Sequence, residues 1–245
     1  MHTVVNGDNI KYAQNNNGVL ADCLITDPYF PTEYDSTQPI DLAYYTDFTR
    51  QWLSAYIDKI SNGSYLAIHQ PAWTLHYCTQ AMLDLDIFIK DYVVAVKQDV
   101  NFAHRSTKFT LFPGRDTALN SAATFWVIGQ KRADTNNRVQ VPATYNLSFL
   151  DETPAMHNNC IVSDSNANSR RMFHPSQQPA NVVSYLVNLL SYPGMTIIDP
   201  FAGGGEVAVS ASKFTRNSIS VDLSRVHCNT ILSRLPKQYT TFIQL

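Results

Sequence analysis

Apolar residues recur at helical spacing in a few separated stretches. Phe48, Trp52, Leu53, Tyr56, Ile57 and Ile60 share one face and predict a helix over 47–60, ended by Asn62-Gly63. A second helix is expected over 72–85. A third carries Val182, Val183, Leu186, Leu189 and Leu190 on one face, and two more are expected over 206–214 and near 224–235. Short apolar runs read as strands at Cys23–Thr26, Ser64–His69, Tyr92–Val96, Phe125–Gly129, Thr196–Asp199 and Ser218–Asp222. The runs at 92–96 and 125–129 are expected to pair antiparallel. The intervening stretches are polar. Residues 1–21 are Asn-rich with a turn at Asn15-Asn16-Asn17-Gly18, 31–46 read as loop, and 98–123 as a long mobile loop. Strands alternating with helices imply an α/β fold, a mostly parallel sheet with helices on both faces.

From about 131 to 172 the periodicity fades, while Lys131, Arg132, Arg138, Arg170 and Arg171 concentrate positive charge. This segment reads as an insertion with a separate task. The chain as a whole has a net charge of −2, so contact with a polyanion would have to come from such a local patch. At 245 residues and 44% hydrophobic content the chain can bury a full core. The four cysteines (Cys23, Cys78, Cys160, Cys228) are scattered, and no apolar leader or membrane-length run is evident, which points to a reducing, cytoplasmic setting. His157 and Cys160 have the spacing of one metal-ligand pair, but without a second pair no metal site is expected.

The chemistry concentrates where strands end. Thr196-Ile197-Ile198-Asp199 runs into Pro200-Phe201-Ala202-Gly203-Gly204-Gly205-Glu206, a strand followed by a glycine loop and a helix. Such a loop exposes backbone N–H groups to a ligand at a helix N-terminus. Asp222 ends the next strand about 20 residues on, where an acidic side chain accepts hydrogen bonds from ribose hydroxyls in nucleotide-type folds. Gly203, Gly205 and Asp222 therefore read as an adenosine-type cofactor site, or else as an ordinary strand–turn–helix with a surface Asp. A Gly-Lys-Ser/Thr sequence is missing, which disfavours a P-loop NTPase. Asp199 could hold an amine of the ligand or cap the loop backbone. A second constellation, Asp27-Pro28-Tyr29-Phe30, follows another apolar strand and offers a carboxylate, a stiff backbone and two aromatics as a slot for a planar, amine-bearing ring.

Together these motifs resemble those of the DNA amino-methyltransferases that act on adenine N6 or cytosine N4. Asp27-Pro28-Tyr29-Phe30 is similar to their catalytic Asp/Asn/Ser-Pro-Pro-aromatic motif, and Asp199-Pro200-Phe201-Ala202-Gly203-Gly204-Gly205 to their Asp-Pro-Phe-x-Gly-x-Gly motif. His174-Pro175-Ser176-Gln177-Gln178-Pro179 looks like their His-Pro-Thr/Ser-x-Lys-Pro element. The order, catalytic motif first and glycine motif last, resembles the β class, a circular permutation of the usual order, and the likeness covers nearly the whole chain. Two departures stand out. Tyr29 replaces a second proline, and Gln178 replaces a lysine.

The resemblance implies a Rossmann-like methyltransferase fold. Residues 1–130 would be its catalytic half, 131–172 a small target-recognition segment and 173–245 its cofactor-binding half. It implies transfer of a methyl group from S-adenosylmethionine to the exocyclic amine of a base flipped out of double-stranded DNA. Adenine N6 is the expected target, because Asp in the first catalytic position leans that way in the family. Asp27 and Pro28 would engage the amine, and Tyr29 and Phe30 would stack on the base. Asp199, Phe201, Ala202, Gly203, Gly205, Asp222, His174, Ser176 and Gln178 would bind the cofactor. Lys131, Arg132, Arg138, Arg170 and Arg171 would contact DNA. A homodimer or second subunit would supplement the weak positive charge, and a restriction-modification, orphan or phage setting would suit such an enzyme. The alternatives are a cytosine-N4 enzyme, an RNA methyltransferase, or a catalytically impaired DNA-binding module.

Overall fold

The computed structural model describes residues 1–28, 42–72, 74–97, 123–132, 159–163 and 178–245. Nine strands among them form one sheet: β1 (His2–Asn6), β2 (Ala21–Thr26), β3 (Ile60–Gln70), β4 (Ile87–Lys97), β5 (Ala123–Lys131), β6 (Cys160–Ser163), β7 (Thr196–Asp199), β8 (Asn217–Asp222) and β9 (Thr240–Gln244). Six helices pack on it: α1 (Asn9–Asn15), α2 (Leu42–Ile57), α3 (Leu75–Asp84), α4 (Ala180–Leu190), α5 (Glu206–Lys213) and α6 (Arg225–Arg234). The spatial order is β6-β4-β5-β3-β2-β7-β8-β1-β9. Within this sheet β5 alone runs against its neighbours, pairing antiparallel with both β3 and β4. The mostly parallel α/β architecture and the antiparallel 92–96/125–129 pair are as the sequence suggests.

Side-chain alternation sorts the core into layers. Cys23, Ile25, Ala67, Trp126 and Ile197 face one way, against Val182, Val183, Leu186 and Val187 of α4 and Val207 and Ala211 of α5. Leu24, Leu66, Ile68, Val127 and Ile198 face the other way, against Tyr12 and Ala13 of α1, Trp52, Leu53 and Tyr56 of α2 and Cys78 and Met82 of α3. A third cluster seats Cys228, Ile231 and Leu235 against Val4, Ala202 and Ala208. Helix α4 is buried over most of its circumference, not on one stripe only, because α5 packs beside it as it lies on β2, β3 and β6.

Several local expectations are corrected. The polar, Asn-rich start of the chain, for which the sequence predicts no element, holds two: β1 is a middle strand between β8 and β9, and Asp8 caps α1 through the Lys11 N–H at 2.8 Å. Helix α2 begins at Leu42, inside the expected loop, and ends at Ile57, so Ile60 opens β3 instead of closing the helix. Asn62-Gly63 lies within β3. Gly63 there adopts φ 80°, where the register against β2 shifts between Ala21↔Ile60 and Cys23↔Tyr65, a bulge that favours glycine. The 131–172 segment is not wholly separate, since Lys131 ends β5 and Cys160–Ser163 adds an edge strand parallel to β4. The 98–122 part of the expected mobile loop lies outside the described residues, and Ala123 already belongs to β5.

Candidate active site

The central strands β2 and β7 are parallel neighbours from which the chain departs in opposite directions. It runs from β2 through α2 to β3 on one side, and from β7 through α5 to β8 on the other. A crevice opens at the carboxyl ends of strands where crossovers diverge this way. Asp27-Pro28 follow β2, His69 stands near the end of β3, the glycine loop follows β7, Asp222 ends β8, and Gln178 lies just before Pro179, the N-cap of α4.

The loop is shaped by its glycines. Gly203 and Gly205 adopt φ 48° and 80°, and Gly205 is the N-cap of α5. A Cβ at Gly205 would stand 2.7 Å from Ile231 Cγ1 of α6, so this position needs both the backbone freedom and the missing side chain. Three groups hold the loop from outside. The Asp222 carboxylate accepts the Gly203 N–H at 2.8 Å through Oδ2 and the Ser224 N–H at 2.8 Å through Oδ1, with His227 Nδ1 3.1 Å away. Arg234 of α6 donates to the Gly204 carbonyl at 2.5 Å and to Glu206 Oε2 at 2.7 Å. Asn9 of α1 donates to the Pro200 carbonyl at 3.2 Å.

Asp199 is 4% exposed and accepts from the Thr26 hydroxyl at 2.6 Å and the Phe201 N–H at 3.1 Å, so its side chain caps the start of the loop and ties it to β2. Burial pushes its pKa up to about 7. The hydrogen bonds from Thr26 and Phe201 pull it down, and the negative fields of Asp27 and Asp222 push it further up. Three carboxylates thus bear on one crevice. Phe201 sits edge-on to Trp52 at 5.3 Å between ring centres and 6.0 Å from Phe48, an aromatic wall supplied by α2. Ala202 is buried under α6.

Asp27 is gripped on both oxygens. His69 Nδ1 lies 2.7 Å from Oδ1, and the Gln178 amide donates to Oδ2 at 2.7 Å. Gln178 Nε2 and His69 Nδ1 are 3.4 Å apart. Pro28 is buried beside them. The structure therefore brings together Asp27, Pro28, Gln178, Asp199, Phe201, Ala202, Gly203, Gly205 and Asp222. Lys131 and Arg132 are elsewhere. Because β5 is antiparallel, Phe125 faces Gln70 at the crevice end while Lys131 lies at the opposite end of the sheet. There Lys131 Nζ donates to the Ile60 carbonyl at 3.0 Å and Arg132 pairs with Asp86 at 3.2 Å. Tyr29, Phe30, Arg138, Arg170, Arg171, His174 and Ser176 lie outside the described residues. Sequence reading passed over His69, Thr26 and Arg234. For His69 a signal existed: a polar side chain closing an apolar strand run, on the strand that adjoins the one carrying Asp27.

Residues 21–233 match the N6_N4_Mtase family model, described as DNA methylase. TTHA0409 of Thermus thermophilus, provisionally assigned as a DNA modification methylase, has the same fold with a TM-score of 0.74 at 14% identity, covering 100% of both chains. M1.HpyAVI in complex with SAM has a TM-score of 0.65 at 18% identity, over 96% of this chain and 98% of that one. The cytosine-N4-specific PvuII DNA methyltransferase gives 0.72 at 14% identity, over 96% of this chain and 86% of that one. With its model matched across the glycine loop and Asp27 alike, the chain belongs to the DNA methylase family that embraces adenine-N6 and cytosine-N4 amino-methyltransferases.

Proposed function

We propose that this protein transfers a methyl group from S-adenosylmethionine to an exocyclic amine of double-stranded DNA, with adenine N6 as the target. The observation that carries this reading is the convergence of Asp27 and the glycine loop on one crevice between adjacent parallel strands. The order of the two motifs, with Asp27 far upstream of the glycines, supports a permuted chain. M1.HpyAVI and TTHA0409 have each been crystallised with S-adenosylmethionine, which favours the same cofactor here.

The residues fit such a cofactor. Gly205 packs closely against Ile231 of α6 and so sets the loop at the head of α5, and the Asp27 and Asp222 carboxylates, whose negative fields both reach Asp199, suit a ligand carrying positive charge. Gly203 to Gly205 would receive the adenosine part beside Asp222, whose Oδ2 accepts only the Gly203 N–H and so retains a lone pair for a ribose hydroxyl. Asp199 and Ala202 would frame the rest, with Phe201 as packing. Gln178, expected at the cofactor, lies on Asp27 instead and is assigned to it. The cofactor supplies an electrophilic methyl group on a sulfonium, so no metal is required.

The protein's task is to ready the amine. Its lone pair is delocalised into the base ring and nucleophilicity is low. Asp27 accepts one amine N–H and the Pro28 carbonyl the other, which favours a localised lone pair aimed at the methyl carbon. A nitrogen–carbon bond forms, the carbon–sulfur pair returns to sulfur, and the nitrogen loses its proton to Asp27 or water. Flipping the base costs a few kcal/mol. Stacking, assigned by sequence to Phe30 and Tyr29, returns ~1–3 kcal/mol. Adenine is preferred because the first catalytic position is Asp. Arg138, Arg170 and Arg171 carry the proposed DNA contacts.

The test is incubation of unmethylated duplex DNA with methyl-labelled cofactor, followed by nucleoside analysis. Labelled N6-methyladenine is the expected product. N4-methylcytosine would overturn the choice of base, and cofactor binding without incorporation would overturn the enzyme reading.

A further inference from the structure

Asp27 stands just past the end of a strand, and its side chain is 24% exposed. A carboxylate so placed has two soft torsions and no reason to hold one aim. Here it is fixed by donors from two other elements. His69 reaches Oδ1 from β3 and Gln178 reaches Oδ2 from the approach to α4. The register explains the meeting. Thr26 pairs with Ile68, so Asp27 and His69 are the next residues along two adjacent parallel strands, and alternation points both toward the face that α4 covers. The imidazole is itself held: its side chain is 8% exposed and packs edge-on to the buried Trp126 ring, 5.2 Å between centres. A carboxylate accepts, so this pairing puts the proton on Nδ1. Support therefore runs from Trp126 to His69 to Asp27, with Gln178 closing the other side.

We infer that His69 and Gln178 are positioning residues for methyl transfer. Each takes one lone pair of the Asp27 carboxylate from behind, which leaves one on each oxygen for the incoming amine and locks the torsions that aim them. The inference rests on the methyl-transfer reading above. It goes beyond that reading in assigning the aim of Asp27 to two side chains that need not touch base or cofactor, one of them where the resembled family carries a lysine.

The experiment uses the full chain and separates binding from transfer. Cofactor affinity is measured by calorimetry, and transfer by single-turnover rate on duplex DNA. His69→Leu keeps bulk against Trp126 but loses the donor, while His69→Asn keeps a donor near the Nδ1 position. Gln178→Met is the matching loss on the other oxygen. Misaiming of the reacting groups costs on the order of 100-fold, so His69→Leu is expected to slow transfer by about that factor with little change in cofactor affinity. His69→Asn should recover most of the lost rate, and Gln178→Met should slow transfer with cofactor affinity preserved. A His69→Leu protein that transfers at nearly the wild-type rate would overturn the inference alone. So would joint loss of affinity and rate that His69→Asn fails to restore, because that marks a merely structural histidine. A wild-type protein inert on every duplex would overturn the methyl-transfer reading and this inference with it.

Discussion

At the scale of single residues, the three carboxylates of the crevice have different tasks and different sensitivities. Asp199 is the buried one, raised from an ordinary 3.8 to about 7 mainly by burial. A folded-state value above the unfolded one means that the folded protein favours the protonated form. The stability this contributes is complete below about pH 4 and is lost as the pH rises through about 7. The wild-type melting temperature should therefore fall from pH 5 to pH 8. Asp199→Asn, which keeps an acceptor for Thr26 and Phe201, should flatten that dependence. Calorimetric scans at both pH values test this, and an unchanged slope in the variant would sink it. Asp27 is the partly exposed one, and on the proposed function it touches substrate. Asp27→Ala should abolish methyl transfer and leave cofactor binding intact, since the glycine loop is held by Asp222 and Arg234 instead. Near wild-type transfer by that variant would show that the amine is prepared elsewhere.

At the scale of elements, the glycine loop is set by a contact between its end and α6. Replacing Gly205 with Ala forces a Cβ to within 2.7 Å of Ile231 at a φ of 80°. The left-handed backbone costs about 1–2 kcal/mol, and overpacking adds typically ~1–3 kcal/mol. Gly205→Ala should therefore lose about 2–5 kcal/mol in denaturant melts and weaken cofactor binding as the loop shifts. Pairing it with Ile231→Ala would relieve the clash but not the strain, so the double variant should recover only part of the coupling. Full additivity of the two losses would contradict this account. The same elements show what a sequence can disclose. The loop, α5 and the stripe on α4 are legible because their signals are local: glycines at a turn, and apolar residues at helical spacing. Strand β1 is not, because HTVVN holds only two apolar core residues, and it becomes a strand through partners more than 200 positions away. Asn62-Gly63 misleads for a related reason. The same pair that stops a helix also makes a bulge, and only the pairing of β3 with β2 decides between them. Of the site, the residues proposed to face a ligand are readable from motifs. The residues that grip them are harder to read: His69 shows only as a polar residue closing an apolar strand run, and Thr26 gives no signal, because register between strands brings both to the site.

At the scale of the molecule, the chain cannot be divided where its motifs divide it. Strand β1 opens the catalytic half by sequence, yet it lies between β8 and β9 from the other end of the chain, and β2 is hydrogen-bonded to β7. The crevice therefore exists only when early and late segments are folded together, and the two halves should unfold in one step. The tryptophans test this, because all three (Trp52, Trp73, Trp126) fall in the first 130 residues. Val4 belongs to a separate cluster with Ile231 of α6 and Leu235 just beyond its end, while Trp52 and Trp126 sit in the cores on either face of the central sheet. Val4→Ala should cost about 2 kcal/mol by leaving a cavity. If folding is a single transition, the denaturant midpoint reported by tryptophan fluorescence must move by the same amount as the midpoint from circular dichroism. A shift seen in circular dichroism alone would mean that the glycine-loop side of the sheet melts by itself. Cofactor affinity would then be governed by the stability of that side and not by the stability of the whole sheet.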